Sequence, residues 1–329
     1  MRFNAEQLRI VENLRGAYAS YREALRADAR CGLRLVWKNS KGSDYLYEMS
    51  NVTDSGRSLG PRSAQTQARF EAFEACRADA AGRLRESTES LATLARLYRA
   101  LDLPRIDPRV GEILRQFDVD GLLGAALMVV GTNTMAAYEI EAQSRFASSL
   151  DATNDADFAW RAHSTQLAVA APPGPIMQSL RAVDRRFTVN SEKPFQALNA
   201  KGYEVEVLIA PSIGPHYPQS ERLRPVALPE QEWLLLGEPV DVVVLDLGGL
   251  PARIVAPDPR WMALHKAWLA EQPKRNRNKI EKDRQQSVRL AEAVMDFMPH
   301  YRVNAAFMAS VPHELLRYAE ALFARALRG

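Results

Sequence analysis

Val130-Gly131-Thr132-Asn133-Thr134-Met135-Ala136-Ala137-Tyr138-Glu139 decides how this chain is read, together with Asp155-Ala156-Asp157 further on. The apolar run Leu127–Val130 reads as a strand, Gly131 breaks it, and Thr134–Ser144 has the alanine-rich composition of a helix. A tight turn at such a junction can hold a phosphate. Ala156–Trp160 then reads as a second strand. Residues two apart on a strand project to one face, so Asp155 and Asp157 can converge on one divalent ion or on a pair. Taken singly, each piece has a plainer reading. Gly131 would only end a strand, Thr132 or Asn133 would only cap a helix, and Asp151–Asp157 would be a solvated turn. A calcium loop beginning at Asp151 is excluded, because Ala156 stands where glycine is required and Ala162 where a bidentate glutamate is needed.

The 329 residues suffice for two domains, or for one domain with helical extensions. A hydrophobic fraction of 47% and a charged fraction of 25% describe an ordinary folded protein. The formal net charge of +3 makes no global case for nucleic acid, so any such case rests on local patches. Cys31 and Cys76, the only cysteines, lack metal-site spacing and read as reduced thiols. The start has no apolar signal core, and Gly121–Val130, the longest apolar run, is too short to span a bilayer. The expected setting is cytoplasmic, with no membrane partner.

Three parts follow from the pattern. Residues 1–120 are expected to be mostly helical, with a stripe through Leu8, Val11, Leu14, Tyr18, Tyr21 and Leu25 and a β-hairpin from Leu33–Trp37 and Tyr45–Met49. Asp54–Ser63 reads as a loop, with Ser63 capping a long helix towards Ala100. Residues 121–257 mix strands and helices, with hairpin-like pairs at Phe195–Asn199/Tyr203–Ala210 and Val240–Leu245/Ala252–Val255. Residues 258–329 read as helical: Asp258 caps, Pro259 suits the first turn, and helices fall near 259–271, 276–297 and 312–327.

The Gly131–Glu139 run resembles the G-T-N-A-x-x-A-Y-E turn of a bacterial branch of the polymerase-β-type nucleotidyltransferase superfamily. Thr153-Asn154-Asp155-Ala156-Asp157 resembles the branch's T-x-D-x-D strand, and Gly202-Tyr203-Glu204-Val205-Glu206 its G-Y-x-V-D strand, with Glu206 in place of Asp. Pro257-Asp258-Pro259-Arg260 and His265-Lys266 match its P-D-P-R and H-K elements, and Ser58–Ser63 resembles an upstream motif. The similarity runs in order over roughly residues 45–295.

The resemblance implies an α+β fold, with a nucleotidyltransferase mixed sheet flanked by helical N- and C-terminal parts. It implies Gly131, Thr132 and Asn133 at a nucleoside triphosphate, with Lys266 on the triphosphate. It implies Mg²⁺ (or Mn²⁺) on Asp155, Asp157 and Glu206, the three also being the catalytic carboxylates. The reaction implied moves a nucleoside monophosphate from a triphosphate to an acceptor hydroxyl, on a small molecule, a protein or RNA, and releases pyrophosphate. The alternative is a catalytically degenerate nucleotide-binding or regulatory protein, such as half of a toxin–antitoxin or defence pair. Without the resemblance Lys266 would be a solvent-facing lysine. Residues 274–289 carry seven basic residues against two acidic ones, which suits phosphates or a solvated face equally. Arg57 and Arg62 bind a phosphate or anchor their loop. No G-x-x-x-x-G-K, G-x-G-x-x-G or H-E-x-x-H motif is present, and the five histidines lack ligand spacing.

Overall fold

The computed structural model describes residues 1–30, 34–40, 42–49, 56–146, 155–161 and 176–327. Cys31, the Asp54-Ser55 start of the expected loop, Asp151–Asn154, Ala162 and His163 lie outside the described residues. The chain divides into two compact units, Glu12–Leu97 and Met1–Val11 with Tyr98–Gly329.

The smaller unit takes most of helices α1 (Ala5–Arg30) and α2 (Ala64–Ala100) and a sheet of β1 (Arg34–Ser40), β2 (Ser43–Met49) and β3 (Arg57–Pro61). β1 and β2 pair antiparallel with Lys38 opposite Tyr45, as the hairpin reading expects. The stretch expected as a loop from Asp54 to Ser63 instead supplies β3 on the open edge of β2. Its Gly, Ser and Pro hid the strand, because a register shift opposite Leu46/Tyr47 and Gly60 at φ 118° accommodate them. Arg57 and Arg62 turn to the sheet's own acids, Glu48 at 3.6 Å and Asp44 at 3.5 Å, and Arg62 also covers the Trp37 ring. Ser63 caps α2, its Oγ accepting from Thr66 N at 3.2 Å.

The larger unit is built on a mixed sheet. Its path is β5 (Leu127–Val130), β6 (Asp155–Trp160), β9 (Glu204–Ile209), β8 (Gln196–Leu198) and β7 (Thr188–Val189), with β10 (Val226–Ala227) also on β9. β5 and β6 run antiparallel, β6 and β9 parallel, β8 and β9 antiparallel. A second sheet joins β4 (Arg105–Ile106), β11 (Val240–Asp246) and β12 (Pro251–Ala256). Alternation along β6 puts Ala156 and Phe158 on the buried face, where Phe158 meets Phe117 edge to face at 5.0 Å. Phe117 belongs to α3 (Pro108–Val119), whose start is fixed by Asp107 accepting from Arg109 N and Val110 N. The opposite face of β6 is left for polar chemistry.

Between β5 and β6 lie a 3₁₀ turn at Gly131–Thr134 and α4 (Met135–Glu141), so the helix starts one residue later and ends sooner than the composition suggests. Helix α5 (Ile176–Val183) follows β6, and the one-turn helix α6 (Gln231–Leu234) follows β10. After the second sheet come α7 (Pro259–Ala270) and α8 (Arg277–Phe297), capped by Asp258 and Asn276 and packed on one another. The last expected helix, 312–327, is broken: α9 (Ala305–Ser310) precedes a short 3₁₀ turn, α10 (Leu316–Leu322) and α11 (Ala324–Leu327). Fully buried Phe323 ends α10. Among the described residues no helix is long and apolar enough to cross a membrane.

Candidate active site

One face of the mixed sheet collects four carboxylates. Asp155 and Asp157 alternate outward on β6, and the parallel register sets Glu204 opposite Asp155 and Glu206 opposite Asp157. Paired residues on neighbouring strands have side chains side by side, so the two acids on each strand become one cluster. The expected third carboxylate, Glu206, is therefore the cross-strand neighbour of Asp157. Glu204 is the neighbour of Asp155.

Register also brings the turn to the same place. Val130 pairs with Asp157, so the next residue, Gly131, lies against the Asp157 side chain. Gly131 has φ 75°, and a Cβ there would stand 2.8 Å from Asp157 Oδ2. Both the left-handed backbone and the contact require glycine. Thr134 Oγ1 donates to the Gly131 carbonyl at 2.7 Å, and Asn133 Nδ2 donates to the Asp155 carbonyl at 2.9 Å. Asn133 thus ties the turn to the start of β6.

A cavity of about 300 Å³ opens on this face. Gly131, Thr132 and Asn133 line it with all four acids, and α7, α8 and the connection between them close it with Lys266, Lys279, Lys282 and Arg275. Every sequence-predicted site residue (Gly131, Thr132, Asn133, Asp155, Asp157, Glu206 and Lys266) lines this one cavity.

Charge is distributed unequally within it. The carboxyl of Asp157 is pushed up from 3.8 to about 7, first by burial and then by Asp155 and Glu206, with Lys279 and Lys266 pulling the other way. Asp155 instead meets Lys279, its Oδ2 lying 3.2 Å from the half-exposed ammonium. Lys266 is 2% exposed and donates to Asp283 Oδ1 at 2.9 Å, while Arg275 Nε donates to Asp283 Oδ2 at 2.7 Å. Burial, followed in size by the opposing attraction of Asp283, leaves the Lys266 ammonium below its usual pKa. The expectation of a solvent-facing lysine in the absence of the resemblance does not hold. Lys266 is buried because Asp283, on a different helix, neutralises it.

A glutamine that carried no motif holds the far side. Gln196, on β8 and 2% exposed, donates through Nε2 to Glu204 Oε2 and Glu206 Oε1, both at 2.9 Å. Its Oε1 accepts from Asn190 Nδ2 at 2.7 Å, so its amide is pinned in one orientation. The only signal that could have found it is its place opposite Glu206 in the β8–β9 hairpin. Lys279, Arg275 and Lys282 lay inside the basic run but were not separable from it by sequence.

The donor chemistry suits a hard cation. Carboxylates stand side by side across β6 and β9, and the pKa of Asp157 is raised first by burial and then by Asp155 and Glu206, with Lys279 and Lys266 offsetting only part of the rise. Among the described residues no group of three His, Cys, Asp or Glu side chains is placed to hold a metal ion by itself. Mg²⁺ does not need one, since it is usually held by one or two carboxylates together with substrate phosphates and water.

Comparison with known proteins gives a family match and a structural alignment. A family model described as Nucleotidyltransferase matches residues 108–311. A crystal structure of an antigenic nucleotidyltransferase-like protein from Paracoccidioides brasiliensis aligns with 14% identity and a TM-score of 0.33, over 67% of this chain and 89% of that chain. No curated protein matches. The family match takes in the turn, both acid-bearing strands, and α7 and α8 with their lysines, which is most of the larger unit. On that match the chain belongs to the nucleotidyltransferase family.

Proposed function

We propose that this protein transfers a nucleoside monophosphate from a nucleoside triphosphate to an acceptor hydroxyl, with release of pyrophosphate, in a reaction that depends on Mg²⁺ or Mn²⁺. The observation that carries the reading is the contact of Gly131 with Asp157, directly opposite Glu206. A phosphate at the turn would then adjoin the acids.

Asp155 and Asp157 would hold the metal, with Glu206 as the third carboxylate. When bound, the ion supplies charge neutralisation for the triphosphate and polarises oxygen. The chain's own groups do the rest. Thr132 Oγ and the backbone amides of the turn would receive phosphate oxygens. Lys279 would leave Asp155 for the triphosphate, freeing a carboxylate and gaining an anion in one movement. Lys266, Arg275 and Lys282 supply further positive charge along that wall. Glu206, held by Gln196, would take the proton from the attacking hydroxyl if it is not coordinating the ion. The acceptor is a small molecule, a protein side chain or an RNA end, and the expected setting is cytoplasmic.

One observation favours a second reading, that of a nucleotide-binding or regulatory protein without turnover. Asp155 is already paired with Lys279, and Glu206 is already bonded to Gln196, so two of the acids have partners within the protein. Incubation of the full chain with labelled triphosphates, Mg²⁺ and cell extract separates the two. Labelled product from wild type and none from Asp155→Ala/Asp157→Ala supports transfer. Metal-dependent nucleotide binding with no labelling by either supports regulation, and absence of binding would sink both.

A further inference from the structure

Two buried polar side chains in the cavity wall have no hydrogen-bond partner among the described residues. Gln231 is 1% exposed, and both Nε2 and Oε1 of its amide are unpartnered. His265 is 6% exposed and its Nδ1 is likewise unpartnered. Both line the cavity that holds the acids. The contrast with Gln196 is direct, since that equally buried amide uses its Nε2 on two carboxylates and its Oε1 on Asn190. Buried amides are expected to be satisfied, and for one left open at a cavity wall a molecule entering the cavity is the candidate partner. Gln286 is also unpartnered, but it does not line the cavity and has no such route.

The surroundings differ from the phosphate end. Leu208 lies two residues beyond Glu206 on the same face of β9, about 7 Å further along the strand. Leu228 N donates to the Ile209 carbonyl, and Gln231 N donates to the Leu228 carbonyl, which places α6 at this end of β9. Leu208, Leu228 and Leu269 line the cavity here and provide apolar surface. His265 is held by aromatic packing, 5.6 Å from Trp233 of α6 and stacked on Trp268 at 6.2 Å. Its burial, with Lys266 and Arg275 adding to the effect, lowers its pKa to about 3, so the imidazole is neutral. The wall therefore offers flat apolar contact together with uncharged donors and acceptors. Glu230, the residue before Gln231, also lines the cavity, and its carboxylate does not attract a phosphate.

We propose that Gln231, with His265 beside it, forms a nucleobase-recognition subsite at the leucine end of the cavity and sets which nucleoside triphosphate binds. The inference rests on the nucleotidyl-transfer reading for the placement of the phosphates at the acid end. A carboxamide presents an acceptor beside a donor, which matches a base edge carrying the complementary pair. The apolar residues take the ring faces, and the amide reads the edge.

The test measures equilibrium binding of ATP, GTP, CTP and UTP with Mg²⁺, and of inorganic triphosphate, to the full chain and to Gln231→Met. Methionine keeps the length of the side chain and removes the amide. Wild type should prefer one base by about tenfold or more, and Gln231→Met should flatten that preference while leaving triphosphate binding unchanged. A melting temperature equal to or above that of wild type is expected for Gln231→Met, because no internal hydrogen bond is lost. Gln231→Glu, which replaces the donor with a second acceptor, should move the preference to a different base. Equal binding of all four nucleotides by wild type, or a preference unchanged in both variants, overturns the subsite while leaving nucleotide binding intact. Failure of every nucleotide and of triphosphate to bind would bring down the nucleotidyl-transfer reading, and the subsite with it.

Discussion

Asp157 is squeezed by its surroundings: the sheet buries it, Asp155 and Glu206 repel it, and Gly131 lies in contact with its carboxylate. Its pKa of about 7 against 3.8 means that between those values the folded protein holds a proton that the unfolded chain has released. Stability linked to this group is fully present below the unfolded pKa and is lost as pH rises through the folded one. Metal-free Asp157→Asn should therefore melt near wild type at about pH 4 and above it at about pH 8, with a gain of the order of 1–3 kcal/mol. Melting curves across that range decide the point, and a difference independent of pH would refute the assignment. The pair itself was legible in the sequence, because alternation on a strand is a local rule. Its strain was not, since Glu206 meets Asp157 only through the register of β6 on β9. The glycine was legible as a breaker but not as a contact of Asp157, and Gln196 and Gln231 carried no motif at all. Single glutamines acquire meaning only from what surrounds them.

Helices α7 and α8 are joined across their interface by Lys266, Asp283 and Ser287, whose Oγ donates to the Ala263 carbonyl at 2.9 Å. Asp283 serves two cations, Lys266 and Arg275, whereas Lys266 serves one acid there. Removing the acid leaves a buried ammonium without its partner; removing the lysine leaves Asp283 with Arg275. Asp283→Ala should accordingly cost about 3–5 kcal/mol, and Lys266→Met less than about half of that. Urea denaturation of the two variants measures the difference, and equal losses would mean that Asp283 is not the hub. The helices were readable from their caps, Asp258 and Asn276, and from their apolar period. That Lys266 turns inward was not readable, because the acid permitting it lies on the next helix. The strand β3 was missed for a related reason. Its residues favour turns, and only pairing with β2, with Glu48 and Asp44 waiting for Arg57 and Arg62, makes them a strand.

At the scale of the whole molecule, the site belongs to one unit. Every residue lining the cavity falls within Tyr98–Gly329, from Val130 on β5 to Asp283 on α8, and none within Glu12–Leu97. Order along the chain was legible: turn, acid strand, second acid strand, capped helix. The division into units was not, since α1 and α2 each begin in one unit and end in the other, and a helical period carries no mark of such a boundary. The prediction that belongs here concerns linkage. A ligand bound only by the folded larger unit stabilises that unit by mass action, by about 2.7 kcal/mol at a hundred times its dissociation constant. A nucleoside triphosphate with Mg²⁺ should then slow hydrogen exchange in β5, β6, β9, α7 and α8, where the cavity-lining residues lie. Exchange from Glu12 to Leu97 should stay unchanged. Mass-resolved exchange with and without the nucleotide reads both regions in one experiment. Protection confined to the smaller unit would place the nucleotide elsewhere and remove the basis for assigning the cavity its ligand. Protection of the larger unit by the nucleotide in wild type, but not in Asp155→Ala/Asp157→Ala, would tie the effect to the carboxylates, because those substitutions alter the acid face and leave the apolar core behind β6 in place.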